Sequence, residues 1–264
     1  MIRSRANAHL KDMRRARRCK DDLALLEGPH LLREALEAGL VPESVLATPA
    51  FLGSDAGRAL VAALPHPPRV VEPALLEPLA DSDTPRGILA VVRPPSKDLM
   101  RLPAVAGGHY LFLDGVQDPG NLGALARVAE AAGVSGLALA TGCAHPNHPR
   151  ALRASAGSLL RLPVAMAVTA AAVRAQLGPV APTWIGLAAH GGEDLYQASL
   201  TGTLVLALGA EARGLSASVE KLCERRATIP LATRVESLNV ATAAAIVLFE
   251  LRRRKAVRAG LQPE

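Results

Sequence analysis

Aromatic residues are nearly missing from this chain: three Phe, two Tyr and one Trp among 264 residues, or 2%. So few rings exclude an RRM-like or OB-like surface, which stacks nucleobases on several aromatic side chains. Cysteine is equally scarce. Cys19, Cys143 and Cys223 lie far apart without CxxC spacing, which excludes a zinc knuckle or a disulfide scaffold and predicts reduced, incidental thiols. No apolar run reaches the roughly 18 residues that a membrane span needs, and no apolar signal core follows the basic N-terminus. The expectation is a soluble, cytoplasmic protein with no membrane partner.

What is present is a small-residue core and a surplus of positive charge. Hydrophobic residues make up 50% of the chain, ample for one large or two modest globular domains. The formal net charge of +6 points to a polyanionic partner. The charge is unevenly spread: Arg3, Arg5, Lys11, Arg14, Arg15, Arg17, Arg18 and Lys20 face a single acid, Asp12, in the first twenty residues. This basic helix or arm reads either as a solvated face or as a set of phosphate contacts. A second cluster, Arg252 to Lys255 with Arg258, suits the C-terminus of a helix and adds to the basic surface.

From Leu23 onward, strand-like and helical segments alternate. Residues 23–28 read as a strand and 29–39 as a helix, with Pro29 in its first turn and Gly39 past its end. Strands at 44–52, 69–72 and 87–94, with helices between them, complete a compact α/β unit over residues 1–93. Residues 94–108, rich in Pro and Gly, read as a linker. Residues 109–264 form a second domain. Its strand-like segments at 109–116, 136–140, 183–189, 202–209 and 227–230 alternate with helices, which argues for a mostly parallel sheet covered on both faces.

Three polar loops in this second domain each follow a buried-type strand: DPGNLGALAR at 118–127, GAEARG at 209–214 and IPLATRVESLNV at 229–240. Open α/β sheets place ligands at the carboxyl ends of their strands, and free N–H groups at a helix N-terminus suit a polar ligand. In the first loop Pro119 and Gly120 make a turn and Asn121 is the N-cap candidate. In the third, Ser237 stands where an N-cap belongs, before a helix opening with Leu238, Asn239 and Val240. Every one of these residues also has a purely structural reading: Asn121 and Ser237 as caps, Glu211 as a solvated acid, Arg127 as the partner of Glu130 at i+3. His145 and His148 have ligand-like spacing but no acidic or cysteine partners in sequence, so they read as loop residues and no metal is expected.

Taken together, the loops carry a more specific signal. The pattern Asn-x-Gly-x-x-x-Arg (Asn121, Gly123, Arg127), the Gly-x-Glu loop (Gly209, Glu211) and Ile-Pro followed by Ser-Leu-Asn-Val (Ile229, Pro230, Ser237 to Val240) occur in this order. In this the sequence resembles the SpoU, or TrmH, branch of the SPOUT RNA methyltransferases, closest to the bacterial 23S rRNA guanosine 2′-O-methyltransferases. Two positions depart from the family pattern, with Ala212 and Thr233 standing where members usually carry glycine. Residues 27–39 and 83–92 look like the L30e-like substrate-binding domain that precedes the catalytic domain in rRNA-directed members.

The resemblance implies an α/β fold with a C-terminal trefoil-knot methyltransferase domain preceded by a small L30e-like domain, against the general rule that chains do not knot. It implies methyl transfer from S-adenosyl-L-methionine to a ribose 2′-hydroxyl of RNA rather than DNA, with 23S rRNA as substrate, and a homodimer formed through the knot domain. It implies active-site roles for Asn121, Arg127, Glu211, Ser237 and Asn239, and cofactor contacts for Gly209, Ile229 and Leu238. Guanidinium is effectively always protonated, so Arg127 is expected to bind the adjoining phosphate and stabilise developing alkoxide charge rather than act as a base. A tRNA-directed enzyme and a non-catalytic RNA-binding assembly factor of the same fold are the alternatives.

Overall fold

The structure, a computed structural model, describes residues 1–210, 213–232 and 235–258. The chain forms two compact units, one of Met1–Ser96 with His145–Arg161, the other of Lys97–Ala144 with Leu162 onward. In the first unit, strands β1 (Ala24–Glu27), β2 (Ser44–Ala47), β3 (Arg69–Val70) and β4 (Ile88–Val92) make a sheet in the order β1-β4-β2-β3. β4 runs antiparallel to both neighbours and is buried along its whole length, so its ILAVV run has no polar face to show. Helix α1 (Ala8–Arg17) is capped by Asn7, whose side chain accepts from the His9 N–H at 3.0 Å. Its Leu10, Met13 and Ala16, three residues apart, are fully buried and join Leu25, Leu46, Leu89 and Val91 in one core. Helices α2 (Gly28–Glu37), α3 (Pro49–Gly53), α4 (Asp55–Ala63) and α5 (Pro73–Leu76) link the strands.

The second unit holds a seven-stranded sheet: β5 (His109–Asp114), β6 (Gly136–Leu139), β7 (Val164–Met166), β8 (Thr183–Leu187), β9 (Glu193–Asp194), β10 (Leu204–Gly209) and β11 (Arg225–Thr228). Its order is β7-β6-β5-β10-β8-β11-β9 and every pairing is parallel. The principal helices are α6 (Pro119–Ala132), α9 (Ala170–Gln176), α10 (Ala217–Glu220) and α11 (Val240–Arg258). Between β6 and β7 the chain forms α7 (Pro149–Ala154) and α8 (Ser158–Arg161), which belong to the first unit. There Arg153 meets Asp81 at 3.0 Å and Glu27 at 3.7 Å, and Arg161 pairs with Glu34. Residues 97–108 pack with the second unit, where Leu102 is buried beside Tyr110 and Tyr110 donates to the Pro103 carbonyl at 2.5 Å.

Two features of this sheet position the site. From β5 the chain builds outward through β6 and β7, then returns to lay β10 on the other side of β5, so β5 and β10 flank a topological switch point. Their register pairs Gly209 with Asp114 at the carboxyl ends. Both strands are apolar and buried between their ends, and Phe112 and Trp184, with ring centroids 5.5 Å apart at 55°, pack in the core of the same sheet. A ligand crevice is expected above the strand ends at that point. Among the described residues no helix is long and apolar enough to cross a membrane.

Candidate active site

The first loop leaves β5 through Gly115, at φ 78°, and reaches α6 within four residues. Asp118, not Asn121, is the N-cap: its carboxylate accepts from the Asn121 N–H at 2.8 Å, and Pro119 takes the first helical position, where its fixed φ suits and its missing N–H costs nothing. The Asn121 side chain is thereby released from capping. The last helix departs from expectation in the same way. Ser237 does not cap α11; Asn239 does, its Oδ1 accepting from Ala241 N at 2.9 Å and Thr242 N at 3.3 Å. An acceptor one residue before the helix reaches these N–H groups directly, whereas Ser237 remains exposed.

These two capping choices determine how the motifs meet. With its Oδ1 committed to α11, Asn239 has its Nδ2 to donate, and it donates to Asn121 Oδ1 at 3.0 Å. The first and third loops, 118 residues apart in sequence, are joined at this bond. The loop after β10 lies alongside. Gly214 N donates to the Ala210 carbonyl at 2.8 Å, closing a tight turn, and Ser216 N donates to Asp114 Oδ2 at 2.7 Å, tying that turn to the end of β5.

Two cavities flank the turn. The first, of about 440 Å³, is lined by Leu187 to Ala189 at and after the end of β8, by Gly209, Ala210 and Gly214, by Thr228, Ile229 and Leu231 at and after the end of β11, and by Ser237 to Val240. Its size and largely apolar walls, with a few convergent polar groups, are those of a small-molecule site. The second, of about 350 Å³, is lined by Asp114, Gln117, Asp118, Asn121, Arg213 and Ser216, and is more polar in its side chains. Ala210, Gly214 and Val240 border both. Asn239 lines the first and Asn121 the second, so their hydrogen bond spans the boundary.

Of the residues singled out in sequence, Gly209, Ile229, Ser237, Leu238 and Asn239 line the first cavity and Asn121 lines the second. Arg127 lines neither. Six residues beyond Asn121, it lies about 9 Å further along α6 and roughly 120° around it, on the exposed side. Glu211, Ala212 and Thr233 lie outside the described residues. Asp114, Asp118, Gln117 and Arg213 were not anticipated. The signal for the two acids was present in HYLFLDGVQDPG, where one acid ends an apolar run and the other precedes Pro. His145 accepts from Asn147 N at 3.0 Å and His148 caps α7 through Arg150 N at 3.1 Å, both local structural duties. Burial pushes the Cys19 and Cys223 thiols up to about 11 and raises that of Cys143, so none is a thiolate nucleophile at neutral pH.

A parallel sheet carrying two adjoining cavities at its switch point is the arrangement of an α/β ligand-binding domain. Comparison with known proteins makes the class specific. Residues 108–249 match the SpoU rRNA Methylase family, and residues 7–90 match the MRM3-like substrate binding domain. The chain is 30% identical over 256 residues to the 23S rRNA (guanosine(2553)-2′-O)-methyltransferase RlmP of Bacillus subtilis, covering 95% of this chain and 98% of that one. Its fold is similar to that of the SpoU methyltransferase AviRb from Streptomyces viridochromogenes, crystallised in complex with AdoMet. The TM-score is 0.87 at 27% identity, over 97% of this chain and all of the other. An AdoMet-bound rRNA methyltransferase from Sinorhizobium meliloti gives a TM-score of 0.81 at 28% identity, over 96% of this chain and 97% of that one. The chain belongs to the SpoU rRNA methylase family and is an RNA methyltransferase.

The bond between Asn121 and Asn239 makes a direct prediction. Asn239→Ala removes a helix cap and lowers stability by about 1 kcal/mol, whereas Asn121→Ala, which caps nothing, leaves stability nearly unchanged. In methyl-transfer rate the two changes are coupled by about 0.5–3 kcal/mol, so the double variant loses less than the two single losses combined. Urea titration and single-turnover kinetics on the four proteins of the cycle measure both, and strictly additive losses would show that the bond has no part in the reaction.

Proposed function

We propose that this protein transfers a methyl group from S-adenosylmethionine to the 2′-hydroxyl of a guanosine ribose in 23S rRNA. The observation that carries the reading is the hydrogen bond between Asn121 and Asn239, which joins a small-molecule-sized cavity to a second one that Asp114, Asp118 and Arg213 line. The first cavity fits the cofactor: its volume suits a nucleoside of that size, most of its lining side chains are apolar, and Gly209, lacking a Cβ, lets the backbone of Gly214 and Leu215 pack against it at the cavity wall. Gly209, Ile229 and Leu238 hold the cofactor there. When bound, it supplies a methyl group already activated on a sulfonium, so no metal is needed.

The second cavity receives the target nucleoside. Asn121 and Asn239 orient the ribose hydroxyl in line with the methyl donor, since methyl transfer rewards alignment above all. Ser237, exposed beside Asn239, serves the same alignment, and Glu211 acts at the same site. Arg213, which lines this cavity, and Arg127, exposed on α6, supply the positive charge that holds phosphate and stabilises the developing alkoxide while the hydroxyl proton passes to water. The catalytic domain is proposed to be knotted and to form a homodimer in the cytoplasm. The first unit, which holds residues 1–93, binds the RNA substrate, and the second, which holds most of 109–264, carries the methyltransferase.

The test incubates the pure protein and S-adenosylmethionine with unmodified 23S rRNA, 16S rRNA and tRNA, and quantifies 2′-O-methylnucleosides by mass spectrometry. The expected product is 2′-O-methylguanosine confined to 23S rRNA. Methylation of tRNA would replace the substrate assignment, and cofactor binding with no product on any of the three would overturn it.

A further inference from the structure

We propose that Arg5, Arg14, Arg17 and Arg18 form a phosphate-binding cradle in the first unit that grips the backbone of the RNA substrate, an inference that rests on the RNA-methylating function above. The four arginines line one concavity of about 530 Å³, which Leu75 and Pro78 also line. The apolar face of α1 is spent on the core through Leu10, Met13 and Ala16, which leaves its basic face outward.

The nearby acids are committed elsewhere. Asp21 holds Arg15 at 2.7 Å, Asp12 lies 3.5 Å from Arg15, and Glu72 pairs with Arg3 at 3.3 Å. Among the described residues, none of the four cradle arginines makes an ion pair. Two are oriented by carbonyls: Arg17 donates to Pro78 O at 2.6 Å and Arg14 to Arg5 O at 3.2 Å. Each guanidinium has five N–H donors, so a single bond fixes its place and leaves the others for a further acceptor. A position near a helix C-terminus accounts for Arg14, Arg17 and Arg18 in part, but not for Arg5, which precedes the helix. Four like charges around one concavity repel one another, and among the described residues no carboxylate pairs with any of them. Phosphodiester oxygens would offset it, because guanidinium binds phosphate through paired, charge-assisted hydrogen bonds. RNA is favoured over an anionic membrane because the apolar side chains of α1 are buried rather than presented beside the charges.

The test measures binding of the full-length protein to unmodified 23S rRNA over a range of salt concentrations, for the wild type, Arg18→Gln, the triple variant R5Q/R14Q/R18Q and Arg15→Gln. Each lost phosphate contact lowers the slope of log K against log salt by about 0.7–0.9, so the triple variant is expected to lose about 2 units of slope and at least about tenfold in affinity. Arg18→Gln alone loses one step and guards against misfolding of the triple variant. Arg15→Gln, which removes the same charge from an already paired residue, leaves the slope unchanged. S-adenosylmethionine affinity, read by calorimetry, stays at the wild-type value throughout. Equal slopes for wild type, Arg18→Gln and the triple variant would overturn the cradle while methylation by the wild type left the function standing. An equal loss in Arg15→Gln would show a response to net charge alone and would also overturn it, as would a loss seen on phosphatidylserine vesicles and not on RNA. Absence of methylation by the wild type on any RNA would instead refute the underlying function.

Discussion

Replacing Arg127 by alanine is expected to lower the rate of methyl transfer by about 10²–10³-fold, the usual cost of removing one group that stabilises developing oxyanion charge. The placement of Arg127 makes this a demanding prediction. It is exposed on α6 and lines neither cavity, and among the described residues it makes no hydrogen bond or ion pair. An exposed arginine without a partner normally changes stability by less than about 0.5 kcal/mol when truncated, so folding should be unaffected. S-adenosylmethionine binding should be unaffected too. The loss should appear only when RNA is present. If Arg127 holds a phosphate and nothing more, the loss falls on KM; if its charge also steadies the alkoxide, it falls on kcat, as expected here. Lysine should restore only part of the rate, because a point charge replaces a planar fork. Single-turnover kinetics at saturating RNA separate the two terms, and a wild-type rate for Arg127→Ala would remove it from the active site.

The same residue shows where sequence reading stops. Alternation of apolar segments made the parallel α/β architecture legible, because strands buried on both faces must be apolar throughout, and LFL and LVLAL in β5 and β10 are. The polar loops were legible as a set. Their joining was not, because it depends on which of several capping residues wins. Asn121 and Ser237 are good caps by type, yet Asp118 and Asn239 occupy the positions from which an acceptor meets the free N–H groups. Once those are settled, one side-chain bond follows between residues that share no local context. Strand order was hidden for a similar reason. Nothing local in β10 records that it returns beside β5, although that return creates the switch point beneath both cavities. The crossover at 145–161 was equally silent: its attachment to the first unit rests on Arg153 meeting Glu27 and Asp81, a pairing of charges distant in sequence.

Substituting alanine for Gly209 is expected to weaken S-adenosylmethionine binding by about 10²-fold or more, a loss of the size that an ångström of misplacement brings. A Cβ built at Gly209 would lie 2.0 Å from Gly214 C, 2.2 Å from Gly214 O and 2.4 Å from Leu215 N. All three are backbone atoms, so no rotamer change relieves the clash and the backbone at Gly214 and Leu215 must shift. That turn walls both cavities, and Ser216 N ties it to Asp114, so the shift reaches the cofactor site and the nucleoside site together. Overpacking of this kind also costs about 1–3 kcal/mol of stability. Two further variants separate the causes. Gly214→Ala meets no atom within 4 Å but sits at φ +66°, so it tests backbone strain without a clash and should weaken binding less. Gly178→Ala, in the same unit, has neither a close neighbour nor a positive φ and should bind as the wild type does. Calorimetry with S-adenosylmethionine on the three variants gives the order directly. If Gly209→Ala binds as tightly as Gly178→Ala, the cofactor does not rest on this turn, and the first cavity loses its claim to be the cofactor site.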